Sequence, residues 1–214
     1  MKKVVCMMII CMAVLCFPFT SLAAGHHLLL IGDSRTEGMA AVVGSGDEEI
    51  HNYWCYESGK GLQHMTSRSF PYIDGKIIEI RESFPDDRIS VVCMYGVNDT
   101  HNVKDYATIF NMKAEEYPDV GFFFVSVNPI ADEKSGYRWD KDIYVTDFNR
   151  KIRPLLSDRI TYIDTYSLIH DTFRAHTRDG VHYDAAMYRE IYGAVRDAVT
   201  APHAEETQNE TDQP

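Results

Sequence analysis

Cysteine is scarce in this sequence of 214 residues: there are five, with no CxxC pair and no other zinc-ligand spacing. That excludes a disulfide scaffold and gives no reason to expect a bound metal, so the chain is read as working without metal or cofactor. Basic residues are short as well, 21 against 32 acidic ones for a formal charge of -11. A protein that binds nucleic acid by neutralising phosphates is therefore not expected. Glycine (13) and proline (8) are too few for collagen-like or low-complexity chains, while 45% hydrophobic residues suffice for one core of ordinary size. Nine histidines include no HExxH or HxxxH pair on one helix face, and no internal repeat is visible.

Long apolar runs are missing too, apart from Val4 to Phe19. This run follows Lys2 and Lys3 and precedes Ser21-Leu22-Ala23-Ala24, the layout of a secretory signal with a small-x-small cleavage site. It is shorter than the ~20 residues of a membrane span. Residues 1–24 are read as a cleaved signal, 25–200 as the folded domain and 201–214 as a solvated acidic tail, which places the mature protein outside the cytoplasm without stable membrane insertion. Cys6, Cys11 and Cys16 leave with the signal. The acidic excess stays mostly on the folded body and leans the ligand toward neutral molecules.

What is present is an alternation. Leu28 to Ile31, Ile50 to Tyr56, Ile89 to Tyr95, Gly121 to Val127 and Ile160 to Ile163 read as strands, three of them continuous apolar runs suited to burial on both faces. Helical spacing follows in Arg35 to Val43, Tyr72 to Phe84, Tyr106 to Tyr117, Ile143 to Leu156 and Ala185 to Val199. Such alternation implies βαβ units, a parallel sheet with helices on both faces, and a ligand site beyond the carboxyl ends of the strands.

Three short motifs fall there. Gly32-Asp33-Ser34 follows the first strand, where a serine hydroxyl is exposed and its own N–H lies at a helix N-terminus; an ordinary N-cap serine is the plainer reading of that tripeptide alone. Gly96-Val97-Asn98-Asp99 follows the third strand, with an amide able to donate to an oxyanion, though turns use the same residues. Asp179-Gly180-Val181-His182 precedes the last helix, and its spacing lets the carboxylate orient the imidazole.

In this order the motifs make the sequence resemble the SGNH or GDSL hydrolases, serine esterases whose blocks match Ser34, Gly59 (with Gly61 the alternative), Gly96-x-Asn98-Asp99 and Asp179-x-x-His182. The resemblance implies a flavodoxin-like three-layer α/β/α sandwich with a five-stranded parallel sheet in the order 2-1-3-4-5. It implies Ser34 as nucleophile, His182 as general base, Asp179 as its orienting carboxylate, and Ser34, Gly59 and Asn98 as the oxyanion hole. In that strand order Cys55 and Cys93 flank the first strand roughly 9–10 Å apart, too far for a disulfide, so both are expected to be free, buried thiols. Asp33 and Asp99 are expected to fix loop backbones. Arg35 is read as a contact for an anionic substrate group, or else paired with Asp33 or Glu37. Trp139 is read as an aromatic wall for a sugar, or else part of a loop capping the core. The expected substrate is a small acyl ester, an O-acetyl group on an extracellular carbohydrate foremost. A lysophospholipase or thioesterase, and a catalytically idle binding module of the same fold, are the alternatives.

Overall fold

The computed structural model describes residues 24–136 and 141–201. Most of the expected export signal, nearly all of the tail, and Trp139 lie outside the described residues. Strands β1 (His26–Gly32), β2 (Ile50–Tyr56), β3 (Arg88–Met94), β4 (Gly121–Val125) and β5 (Ile160–Ile163) form one sheet in the order β2-β1-β3-β4-β5. Every pairing is parallel. The expected strand order and three-layer architecture are both present.

The layers follow from the central strand. Successive side chains of a strand point to opposite faces, and all seven residues of β1 are buried. Leu28 and Leu30 pack on one face with Met39 of α1 (Ser34–Val43) and Met187, Ile191 and Val195 of α7 (Ala185–Thr200). Leu29 and Ile31 pack on the other with Ile73 and Ile77 of α3 (Phe70–Ser83), Phe110 of α4 (Val103–Glu116) and Phe148 of α5 (Asp142–Ile152). Each such side chain, fully removed from water, contributes about 1.5–3 kcal/mol. Parallel connections bring the residues after β1 and β3, Ser34 and Asn98 among them, to the carboxyl edge of the sheet, and His182 lies there against Ser34.

Three details differ from expectation. The helix expected over Ile143 to Leu156 ends at Ile152 and tightens into a 3-10 turn, Arg153–Leu155, because Pro154 has no N–H to continue the ladder. Before α3, the single turn α2 (Leu62–His64) runs into a π-helical turn, Met65–Ser69, and α6 (Thr165–Ile169) follows β5; no periodicity announces these pieces. Cys55 and Cys93 are both free and sit opposite the same residue, Ile31, on either side of β1. Cys93 is buried as expected, whereas Cys55 is only half-buried because β2 is the sheet edge.

Candidate active site

Strand β1 ends in a turn too tight for any side chain on Gly32: a Cβ there would lie 1.8 Å from Thr36 Oγ1. Helix α1 therefore begins two residues later, with Asp33 as its N-cap and Ser34 as its first residue. Asp33 Oδ1 accepts from Arg35 N at 3.0 Å, while Oδ2 has no hydrogen-bond partner among the described residues. Burial pushes the Asp33 carboxyl up from its ordinary 3.8 to about 6, against the opposing pull of the Arg35 N–H and guanidinium. As expected, this carboxylate fixes a loop backbone.

The histidine arrives on the segment before α7. Gly180 takes a φ of +82°, and Asp179 Oδ1 accepts from both Val181 N (2.9 Å) and His182 N (2.8 Å), closing the turn. His182 Nδ1 donates to Asp179 Oδ2 at 2.6 Å, and Ser34 Oγ donates to His182 Nε2 at 2.8 Å. The carboxylate accepts only, so it assigns the proton to Nδ1 and leaves Nε2 as the acceptor facing the serine. Burial alone would raise the Asp179 pKa; the bonds from the His182 ring and from the two N–H groups outweigh it and bring it down to about 2. A serine, a neutral imidazole and a permanent carboxylate in line can form and release an acyl-enzyme.

Asn98 closes the third side. Its Nδ2 donates to Lys60 O at 2.8 Å, drawing the loop after β3 against the loop after β2. One amide hydrogen is used there and the other remains. Asp99, also as expected, fixes backbone: it accepts from Leu62 N at 2.8 Å and from Tyr106 Oη at 2.7 Å. Gly61 is shut against this carboxylate, 2.3 Å from where a Cβ would stand, whereas a Cβ on Gly59 would meet nothing within 4 Å.

No family model matches this sequence, and no curated protein matches it. Solved structures do. A Streptococcus pneumoniae protein whose name refers to platelet activating factor aligns with TM-score 0.61 at 15% identity, over 85% of this chain and 86% of the other. A member of the lipolytic G-D-S-L family from Veillonella parvula aligns at 0.57 and 18%, over 83% and 100%. A carbohydrate acetylesterase from Sinorhizobium meliloti aligns at 0.55 and 17%, over 81% and 98%. The chain has the SGNH-hydrolase fold. In this SGNH fold the matched motifs meet at one edge of the sheet, although Ser34 and His182 are 148 residues apart.

Arg35 requires a correction. Its guanidinium is turned to backbone, and among the described residues no ion pair joins it to Glu37 or Asp33. The side chain is 6% exposed, and its guanidinium is spent on three backbone carbonyls: Nε to Val181 O (2.9 Å), one terminal nitrogen to Asn128 O (2.7 Å) and the other to Pro129 O (3.1 Å). Its partners lie more than 90 residues away in sequence, so no local pattern pointed to them.

Sequence reading also missed a polar chain beneath the loop after β2. Tyr95 Oη meets His64 Nδ1 at 2.5 Å and Ser69 Oγ at 3.0 Å, and His64 Nε2 lies 3.3 Å from Glu57. The signal available was weak: a histidine and a serine five residues apart with no periodic run around them. Beside the histidine, Thr177, Arg178, Asp179 and His182 help line an open depression of about 520 Å³. Among the described residues no group of three or more His, Cys, Asp or Glu side chains is placed to hold a metal ion.

Proposed function

We propose that this chain is an exported SGNH-family serine esterase that removes a small acyl group, acetyl foremost, from a hydroxyl of an extracellular carbohydrate or related ester. The observation that carries this reading is the chain Ser34 Oγ, His182 Nε2, His182 Nδ1, Asp179 Oδ2, with heavy-atom contacts of 2.8 and 2.6 Å. Ser34 Oγ attacks the ester carbonyl as its proton passes to His182 Nε2, and the imidazolium is held by Asp179. The tetrahedral oxyanion is received by Ser34 N–H, Gly59 N–H and the second Asn98 amide hydrogen. Collapse breaks the acyl–oxygen bond, and the imidazolium gives its proton to the leaving alkoxide. Water, deprotonated by the same histidine, attacks the acyl-serine; the acid departs and Ser34 regains its proton.

Support for a short acyl group comes from a structural neighbour described as an acetylesterase. Support for a carbohydrate comes from the shared fold with an acetylesterase of that class. Support for export comes from the N-terminal segment ending near Ala24. The test uses a fluorophosphonate probe and acetyl and octanoyl p-nitrophenyl esters. Wild type is labelled and prefers the acetyl ester, Ser34→Ala is neither labelled nor active, and acetate is released from acetylated glycans. A steep preference for octanoyl overturns the substrate class, and an inert wild type overturns the esterase.

A further inference from the structure

Arg35 is the residue after the nucleophile, yet its side chain runs away from the open face of the site. Each of its three donor groups ends on a main-chain carbonyl, two of them in the loop after β4 (Asn128, Pro129) and one, Val181, immediately before His182. The Tyr183 ring lies 5.2 Å beneath the guanidinium, so residues on both sides of His182 touch it. The same two segments are joined again without it: Ala131 N donates to Gly180 O at 2.9 Å, Tyr183 Oη donates to Pro129 O, and Lys134 Nζ donates to Thr177 O at 2.9 Å. The loop after β4 and the histidine segment thus form one tied body, and Arg35 bonds that body to the helix carrying Ser34.

The chemistry of the side chain suits this task. A guanidinium is a rigid planar fork whose donors leave in fixed directions toward carbonyls of two chain segments, whereas an ammonium on its flexible stem fixes no such geometry. The arrangement is also costly, because carbonyls are dipoles and the buried cation among them has no direct ion-pair partner among the described residues. Asp33, in the same turn, lies near enough for its carboxyl to be pulled down by the Arg35 charge.

We infer that Arg35 is a positioning residue: it sets the distance between Ser34 Oγ and His182 Nε2 by bonding the nucleophile helix to the carbonyls of Val181, Asn128 and Pro129. The inference rests on the proposed roles of Ser34 and His182. A misplacement of about 1 Å at a reacting pair costs about 100-fold in rate. The expected result for Arg35→Ala is therefore a kcat lower by about that factor with KM changed by less than about threefold, since nothing that faces substrate has been removed. The rate of fluorophosphonate labelling falls in parallel.

Arg159 supplies the control. It too bonds three carbonyls, of Ala114, Tyr117 and Pro118, but beside the start of β5, at the opposite edge of the sheet from Ser34. Arg159→Ala is expected to lower the melting temperature and leave kcat unchanged. Added guanidinium chloride, at concentrations too low to unfold the protein, is expected to restore Arg35→Ala saturably and to leave Arg159→Ala unaffected. Arg35→Lys, which keeps the charge and loses the fork, is expected to fall between wild type and alanine and covers the case in which alanine does not fold. Full kcat in folded Arg35→Ala or in Arg35→Lys, or no guanidinium rescue of folded Arg35→Ala, overturns the inference while labelling that depends on Ser34 leaves the esterase standing. Labelling of wild type that survives Ser34→Ala overturns the esterase itself.

Discussion

Replacing Asp33 with asparagine isolates the energetic cost of the nucleophile turn. The carboxyl is completely buried, and burial lifts it from 3.8 to about 6. The sign follows from proton linkage: between these values the unfolded chain has released the proton and the folded one still holds it. Stability is therefore full below pH ~4 and declines as pH rises through about 6. At ~1.4 kcal/mol per pH unit the total is about 3 kcal/mol by pH 7. Asparagine keeps the oxygen that accepts from Arg35 N and cannot ionise. Urea titrations of both proteins at pH 4, 5, 6 and 7 should show the difference, Asp33→Asn minus wild type, growing in favour of the variant by about 2 kcal/mol from the lowest pH to the highest. Groups remote from Asp33 contribute alike in both proteins and cancel in this comparison. A difference that stays flat across the series refutes the burial argument.

Two further outcomes concern the rest of the site. Asn98→Ala removes the proposed oxyanion donor and should lower kcat by about 10²–10³-fold with little change in KM, read from saturation kinetics on an acetyl ester. Asp179→Asn keeps the shape of the turn but not the acceptor that assigns the His182 proton, and should cost on the order of 10⁴-fold in kcat. Because Asp179 is held down at about 2, its contribution to stability is present above pH ~4 and lost as the pH falls toward that value, so the variant should lose acid sensitivity below pH 4 in thermal melts.

The legible parts of this molecule were the local ones. Leu28 to Ile31 announced a buried strand because β1 is central and apolar on both faces, and Asp179 to His182 announced its contact because a three-residue turn brings the partners together. The short spans of Gly32 to Ser34 and Gly96 to Asn98 placed two more corners of the site, and the strand order then placed both cysteines. Arg35 was hard to read because its partners belong to residues 128, 129 and 181, and a bond to a backbone carbonyl leaves no trace in the side-chain sequence. The end of α5 came early because Pro154 acts on the turn before it, against an apolar spacing that continued to Leu156. Gly59 and Gly61 could not be told apart in the sequence because the Asp99 carboxylate that closes on Gly61 comes from a different loop, 38 residues further along the chain.

The proposed nucleophile and its proposed base come from opposite ends of the fold, Ser34 from the turn between the first strand and helix and His182 from the segment just before the last helix. A chain still emerging from the ribosome, or threading unfolded through a membrane, has its serine early and its histidine nearly last. Between those moments the serine has no base, and the proposed hydrolytic activity begins only when α7 docks beside α1. On the proposed reading, completion of folding is itself the step that assembles the reactive pair.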